Sequence, residues 1–264
     1  MKKIVITGGT RGLGRGLARA LLEQGHQVVV CGTTQAGVAA VTAELGVPAL
    51  VADVTDRPQV QALWDEAVRR FGRVDIWVNN AGVPHHRLPL WRLPEPEART
   101  VVEVNLLGVL NGCAVAAAGM AARGGGHIWN MEGLGSDGRI VPGLGVYGAS
   151  KRAVTYLTWA LAKEAPDGVT AGLLSPGMVV TDLLTYGYSG DDLGGDSGGD
   201  SEAARGRASE IFAILADPVD TVAPWLARRV VSRAKNGAHV RRLTTAKIAY
   251  RFARAPFARR CPRK

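Results

Sequence analysis

The feature that most constrains this chain is an alternation of two hydrophobic periods. Short, continuously apolar runs read as strands: Lys3–Thr7, Gln27–Cys31, Ala49–Ala52, Val74–Asn79, His127–Met131 and Val169–Leu174. Between them, Leu13–Gln24 (Leu17, Ala20 and Leu21 inward), Val38–Leu45, Val60–Phe71, Arg99–Ala122 and Tyr147–Ala165 read as helices. A strand that is apolar throughout needs cover on both faces, and crossover helices between parallel strands supply it. The expected fold is therefore a doubly wound α/β domain. Arg99–Ala122 is apolar over much of its circumference (Val101, Val102, Leu106, Val109, Leu110, Val115), which predicts a helix sandwiched between the sheet and a second surface, a sister subunit among the options.

Composition narrows the class. The 264 residues are 47% apolar and 21% charged, enough for a full core in one domain over 1–264. Cys31, Cys113 and Cys261 are scattered, without disulfide or metal-ligand spacing, so free thiols in a reducing compartment are expected and no metal site. After Met1-Lys2-Lys3 the apolar run breaks at Thr7-Gly8-Gly9, too short for the core of a signal peptide. No uninterrupted apolar stretch nears the roughly 20 residues that span a bilayer. These points predict a cytoplasmic protein, soluble or peripheral. The net charge of +9 is uneven: Thr221–Lys264 holds 13 Lys/Arg and no Asp/Glu, against 19 basic and 23 acidic residues elsewhere. The basic tail 236–264 includes an amphipathic stretch, Ala246–Ala255, with Ile248, Phe252 and Ala255 on one side and Lys247, Arg251 and Arg254 on another. It either lies on an anionic membrane surface or covers the subunit's own core. No nucleic-acid recognition motif accompanies it.

Two segments carry chemistry. Thr7-Gly8-Gly9-Thr10-Arg11-Gly12-Leu13-Gly14 occupies the first strand-to-helix turn. Glycines there let backbone approach a pyrophosphate, and a helix N-terminus favours its charge, so a dinucleotide site is expected. After the second strand, Cys31-Gly32-Thr33-Thr34 lacks the acid that would bind a ribose 2′-hydroxyl, and Arg11 stands where a guanidinium could clamp a 2′-phosphate. Together these favour NADPH over NADH; the plainer reading leaves Arg11 solvated. Tyr147-Gly148-Ala149-Ser150-Lys151 sets a phenol and an ammonium four residues apart on one helix face. The ammonium stabilises the phenolate and eases proton exchange with a substrate oxygen.

With Asp53-Val54, Asn79-Asn80-Ala81-Gly82, Asn105 and Pro176-Gly177 followed by Val179 and Thr181, these motifs resemble the short-chain dehydrogenase/reductase family over residues 1–182. The resemblance implies a Rossmann fold with a seven-stranded parallel sheet, order 3-2-1-4-5-6-7. It implies a cofactor set of Gly8, Thr10, Arg11, Gly12, Leu13, Gly14, Thr33, Asp53, Val54, Asn80, Ala81, Gly82, Tyr147, Lys151, Pro176, Gly177, Val179 and Thr181. Asp53 would contact the adenine, Asn80–Gly82 would line the adenosine side, and Thr181 would hold the nicotinamide carboxamide. Lys151 would hold the nicotinamide ribose, and Asn105 would position a water linking Lys151 to solvent. The family's catalytic serine slots hold Glu132, Gly133 and Leu134; Ser136 is the nearby hydroxyl, either the replacement or a loop serine with Tyr147 acting alone.

The segment His127–Ser136, the run Tyr147–Arg152, Ser175–Leu184, Ile211–Leu226 and the Leu243–Phe252 tail are similar to the family's chlorophyll(ide) b reductase branch. That implies reduction of a ring-bound formyl group to a hydroxymethyl group on a bulky, apolar substrate. A reductase of another bulky aldehyde or ketone, and a non-catalytic NADP(H)-sensing protein, stay open beside it. Residues 182–216 are expected to form a mobile substrate lid; inside it Gly187–Ser201 is rich in Gly, Asp and Ser, and its two Gly-Gly-Asp triplets lack the sustained repeat a Ca²⁺ site of that type needs. The family also implies a homodimer or homotetramer through Arg99–Ala122 and Tyr147–Ala165.

Overall fold

The computed structural model describes residues 1–186, 210–232 and 235–258. Its frame is a seven-stranded parallel sheet. In chain order the first elements are β1 (Lys3–Ile6), α1 (Gly12–Glu23), β2 (Gln27–Gly32), α2 (Gln35–Leu45), β3 (Ala49–Val51), α3 (Arg57–Phe71) and β4 (Ile76–Asn79). There follow α4 (Glu95–Val102), a π-helical turn Glu103–Leu107, α5 (Gly108–Ala121), β5 (Gly126–Met131), α6 (Gly145–Glu164) and β6 (Val169–Ser175). The last are β7 (Met178–Val180), α7 (Asp182–Thr185), β8 (Ala216–Pro218), α8 (Val219–Val231), β9 (Ala238–Arg241) and α9 (Thr245–Ala258). The sheet order is β3-β2-β1-β4-β5-β6-β9, the expected order with β9 as seventh strand.

Local chemistry sets the element ends. The Thr34 hydroxyl caps α2 by accepting from Gly37 N at 3.2 Å, and the Asp56 carboxylate caps α3 by accepting from Gln59 N at 3.2 Å. Successive side chains of the inner strands alternate between two cores. Ile4, Ile6, Val28, Val30, Val78 and Trp129 pack beneath α1 and α8, with Leu17, Leu21 and Leu226. Val5, Val29, Trp77 and Ile128 pack on the other face against α3, α5 and α6, with Leu63, Trp64 and Met120. Trp77 and Trp129 are fully buried on opposite faces; truncating either to alanine is expected to cost roughly 3–5 kcal/mol.

Three features depart from the sequence reading. Glu95–Ala121 forms one 27-residue helical run, long and apolar enough by length and composition to cross a bilayer, though charges interrupt its sequence. One side of it is spent in the core, where Val101, Val109, Ala116 and Met120 are buried; Val102, Leu107 and Leu110 face out. Second, β7 and β8 form a two-stranded parallel sheet that ties the two ends of the expected lid together. Residues 187–209 of that lid, with both Gly-Gly-Asp triplets, lie outside the described residues. Third, the faces of the C-terminal helix α9 differ from the expected ones. Arg251 turns inward, donating Nη1 to the Leu215 carbonyl at 3.0 Å and Nη2 to Asp217, while Phe252 is exposed. A partly buried carboxylate attracts a guanidinium more strongly than one phenyl ring gains from cover.

Candidate active site

The sheet's strand order reverses between β1 and β4, and the crevice at their carboxyl ends is where an open α/β sheet binds ligands. The glycine-rich turn fills one wall of it. Gly8 has φ +64°, and a Cβ there would stand 2.8 Å from Ala81 Cα; a Cβ on Gly14 would stand 2.3 Å from the Gly8 carbonyl oxygen. No other residue lets the turn close so tightly on the β4 loop. Side chains lock the same contact. The Thr7 hydroxyl accepts from Asn80 N at 3.0 Å and Ala81 N at 3.1 Å, and Asn80 Nδ2 donates to the carbonyls of Thr7 and Gly8 at 2.9 and 3.1 Å.

The start of α1 fits a phosphate group. Its N-cap residue, Arg11, provides no side-chain cap, and the first turn holds no acidic residue, so the leading N–H groups are left for an anion. Thr181 reaches this turn, its methyl group 3.6 Å from where a Gly12 Cβ would sit. Thr10 packs against Gly32 at the end of β2, and Arg11 and Thr33 are exposed at the same edge. The Asp53 carboxylate accepts from the amide and hydroxyl of Thr55, both at 2.9 Å, and Val54 beside it is buried. Gly177, φ +80°, turns the chain after Pro176 against Leu243, and the Thr181 hydroxyl donates to the Val179 carbonyl at 3.4 Å. The turn thus meets the β4 loop at Ala81 and the segment after β7 at Thr181.

The residues expected to transfer the proton lie together. Tyr147 and Lys151 lie one turn apart on α6, both buried, with the Lys151 ammonium 5.9 Å from the Tyr147 ring centre. Lys151 Nζ donates to the Met131 carbonyl at 3.4 Å. Burial pushes the Tyr147 phenol up to about 12, so it stays protonated at neutral pH. Burial pushes Lys151 down to about 8, opposed by the negative charge of Glu132. Asn105 sits in the π-helical turn and is fully buried. Its Oδ1 accepts from Val83 N at 2.8 Å, and its Nδ2 donates to the Val83 carbonyl at 3.0 Å and to Ser150 Oγ at 3.3 Å. A Cβ on Gly82 would be 3.1 Å from Asn105 Oδ1 and 3.5 Å from Lys151 Nζ, so the β4 loop, the π turn and α6 meet at one point. Such turns insert one extra residue into a helix and recur at functional positions.

Ser136 is buried at the edge of this cluster. Its carbonyl accepts from Arg152 Nη1 at 3.0 Å and from Thr155 Oγ1 at 3.4 Å, one to two turns further along α6 than Tyr147. Gly133 lies over the phenol instead, where a Cβ would be 2.4 Å from Tyr147 Oη. Three groups escaped the sequence reading. His85 is buried and accepts from Tyr147 N through Nε2 at 3.2 Å. The Glu132 carboxylate is buried between Thr155 Oγ1 (3.0 Å) and His239 Nε2 (2.7 Å). Only the Glu in the serine slot signalled any of them in advance. His86 pairs with Glu97 at 2.9 Å and packs against Tyr186 with ring centres 4.9 Å apart, while Trp91 and Ile140 are 85% and 90% exposed.

The family model described as "short chain dehydrogenase" matches residues 2–190. The chain is 34% identical to the chloroplastic chlorophyll(ide) b reductase NOL of Oryza sativa subsp. japonica, over 97% of this chain and 76% of the relative. Among solved structures it is similar to gluconate 5-dehydrogenase from Burkholderia cenocepacia in complex with NADP and tartrate, with TM-score 0.77 and 29% identity over 94% of this chain and 95% of that one. It is also similar to 3-ketoacyl-(acyl-carrier-protein) reductase from Brucella melitensis complexed with NADH, with TM-score 0.79 and 27% identity over 93% and 98%.

Proposed function

From the premise that the chain belongs to the short-chain dehydrogenase family of oxidoreductases, we propose that it reduces a carbonyl group to an alcohol at the expense of NADPH, and that the carbonyl is a formyl group on a bulky, apolar molecule. The observation that carries this reading is the buried Tyr147–Lys151 pair meeting Asn105 and Gly82 at the carboxyl end of the sheet. The similarity to chlorophyll(ide) b reductase supports both the formyl group and the bulk of its carrier. Arg11 at the α1 N-terminus and the absence of an acid in Cys31–Thr34 support NADPH.

When bound, NADPH supplies the hydride for the carbonyl carbon. Tyr147 releases its proton to the oxygen as negative charge develops there, which leaves a neutral alcohol and a phenolate. The Lys151 ammonium stabilises that phenolate and, through Nζ, is placed to hold the nicotinamide ribose. Asn105 braces Val83 and Ser150 around Lys151 and is placed to position a water for reprotonation. Ser136 orients the substrate oxygen after a small movement of its glycine-flanked loop. The outward residues Val102, Leu107, Leu110, Tyr156 and Trp159 support a homo-oligomer through α4, α5 and α6. The cationic stretch 221–264 supports peripheral contact with an anionic membrane by a protein otherwise in the cytoplasm.

The test is NADPH oxidation by the purified protein with chlorophyllide b, beside simple aldehydes and ketones, with NADH as second cofactor and Tyr147→Phe as control. Loss of a positioned proton donor is expected to cut turnover about 10²–10⁴-fold. Turnover of simple carbonyls alone would keep the chemistry and remove the pigment-type substrate. No turnover of any carbonyl would favour the sensing protein and overturn the reading.

A further inference from the structure

The short segment that follows β5 holds a carboxylate the proposed mechanism does not use. Glu132 is 5% exposed, yet both its oxygens are engaged: Oε1 accepts from Thr155 Oγ1 at 3.0 Å, and Oε2 lies 2.7 Å from His239 Nε2. Its backbone N–H donates to the Leu174 carbonyl of β6 at 2.8 Å. Burying a carboxylate is expensive unless it is paired, and an isolated structural role is met more cheaply by an apolar residue. The contacts point to where this charge acts. Thr155 Oγ1 also touches the Lys151 carbonyl at 3.2 Å, and the residue before Glu132, Met131, gives its carbonyl to Lys151 Nζ at 3.4 Å. The carboxylate is therefore joined to the lysine's helix on one side and to the backbone that receives its ammonium on the other.

We propose that Glu132 is a positioning residue of the reaction centre: held by His239 and Thr155, its buried carboxylate keeps the Lys151 ammonium charged beside Tyr147. The proposal rests on Lys151 being the proton-transfer lysine, as read above. The titratable groups linked to Glu132 are His239 of β9, with Arg241 lying on it, and Lys151 of α6, reached through Thr155 and the Met131 carbonyl; β6 brings no titratable side chain. Arg241 lies across His239, with Nη2 3.1 Å from Nδ1 and Nε 3.1 Å from Nε2, so a fixed cation sits on the imidazole that meets the carboxylate. Lys151 is the buried cation whose charge burial opposes and Glu132 supports. The serine slot of the family thus carries a charge that acts on the lysine in this chain.

Lysine-selective NMR of the ligand-free protein tests the inference, with Lys151 assigned from Lys151→Arg. In the unsubstituted protein Lys151 is expected to titrate near about 8. Glu132→Gln keeps the shape and hydrogen-bonding reach but removes the charge, and is expected to move that titration down by about one pH unit. Glu132→Asp restores the charge and is expected to move it back. In turnover, the alkaline limb of the kcat/KM profile of Glu132→Gln is expected to shift the same way, since the ammonium is lost at lower pH. An unmoved Lys151 titration, or a loss of turnover equal at every pH, overturns the proposal. Should Glu132→Gln fail to fold, Thr155→Val releases the carboxylate from α6; the same downward movement is expected, and none overturns the proposal. The titration needs neither cofactor nor substrate. A protein that turns over no carbonyl overturns the functional reading and leaves this result standing, and an unmoved titration does the reverse.

Discussion

Placing a methyl group at position 133 measures how closely the Tyr147 hydroxyl must be held. An alanine Cβ there would stand 2.4 Å from Tyr147 Oη and 3.1 Å from both Tyr147 Cζ and Lys151 Cγ. Non-bonded atoms of this size rest near ~3.5 Å, so the hydroxyl must retreat by roughly 1 Å. Gly133 does not have positive φ, so alanine brings no backbone strain and the effect is confined to the contact. The buried tyrosine ring yields only by turning about its side-chain bonds, which swings the hydroxyl off its line to the substrate. A misplacement of about 1 Å in a reacting group costs on the order of 10²-fold, or about 2.7 kcal/mol in the barrier. The expected outcome for Gly133→Ala is a kcat about 100-fold lower, with NADPH affinity within about 3-fold, because the phosphate turn is untouched. Overpacking is expected to lower stability by about 1–3 kcal/mol. Steady-state turnover, NADPH fluorescence titration and thermal melting separate these effects. Gly133→Ser introduces the same Cβ and is expected to fall at least as far, despite supplying the hydroxyl the family usually has near this place. An alanine variant with near-normal kcat would refute the claim that Gly133 sets the phenol's position.

Three further outcomes follow from the same structure. Gly14→Ala drives a Cβ to 2.3 Å from the Gly8 carbonyl oxygen, and NADPH binding by fluorescence is expected to weaken about 10-fold or more as the turn opens. His127, stacked on Trp129 at 4.2 Å, is pushed by burial down to about 4, below its unfolded value near 6.5. The native state therefore binds fewer protons, so this histidine's contribution is fully present above about 6.5 and is lost as pH falls toward 4, up to roughly 3 kcal/mol; His127→Phe is expected to flatten that part of the melting-temperature profile. Asp217→Ala strands Arg242, 8% exposed with Nε already lacking a partner, and is expected to cost about 2–4 kcal/mol in denaturant unfolding, more than Arg251→Met at the better-hydrated end of the cluster.

The parallel sheet and its helices were legible because their signal is local and repeated. Each inner strand is apolar on both faces, and each crossover helix shows one buried stripe, as Leu17, Ala20 and Leu21 do on α1. Tyr147 and Lys151 were legible for a related reason: four residues on a helix fix their relation without further information. What escaped depends on distance along the chain. The strands β7 and β8 have three residues each and exist only because they pair with one another, so no periodicity announces them. Glu132 reads as a charged residue in a glycine-rich turn until His239, 107 residues later, comes to lie on it. Arg251 and Phe252 exchanged places because the helix pattern carried no knowledge of Asp217.

Those long-range contacts share one strand. β9 is the last strand added to the sheet edge, paired with β6 from Gly172 to Ser175. His239, within it, holds the Glu132 carboxylate beneath the reaction centre. Arg242, just after it, donates to the Ser175 carbonyl through its backbone and to Asp217 through Nη2 at 2.8 Å, fixing β8 at the return of the expected lid. Leu243 then closes against Gly177 in the turn that leads to Val179 and Thr181. His239, Arg242 and Leu243 therefore tie the Glu132 carboxylate, β8 and the Gly177 turn to this edge of the sheet. An edge strand in such a sheet usually needs only to cover apolar surface; this one is polar at His239, which meets Glu132, and at Arg241, which lies on His239, while Arg242 just beyond it meets Asp217. The physical reason to keep the basic C-terminal segment attached to the rest of the domain is thus electrostatic and local, whatever further surface its outer face meets.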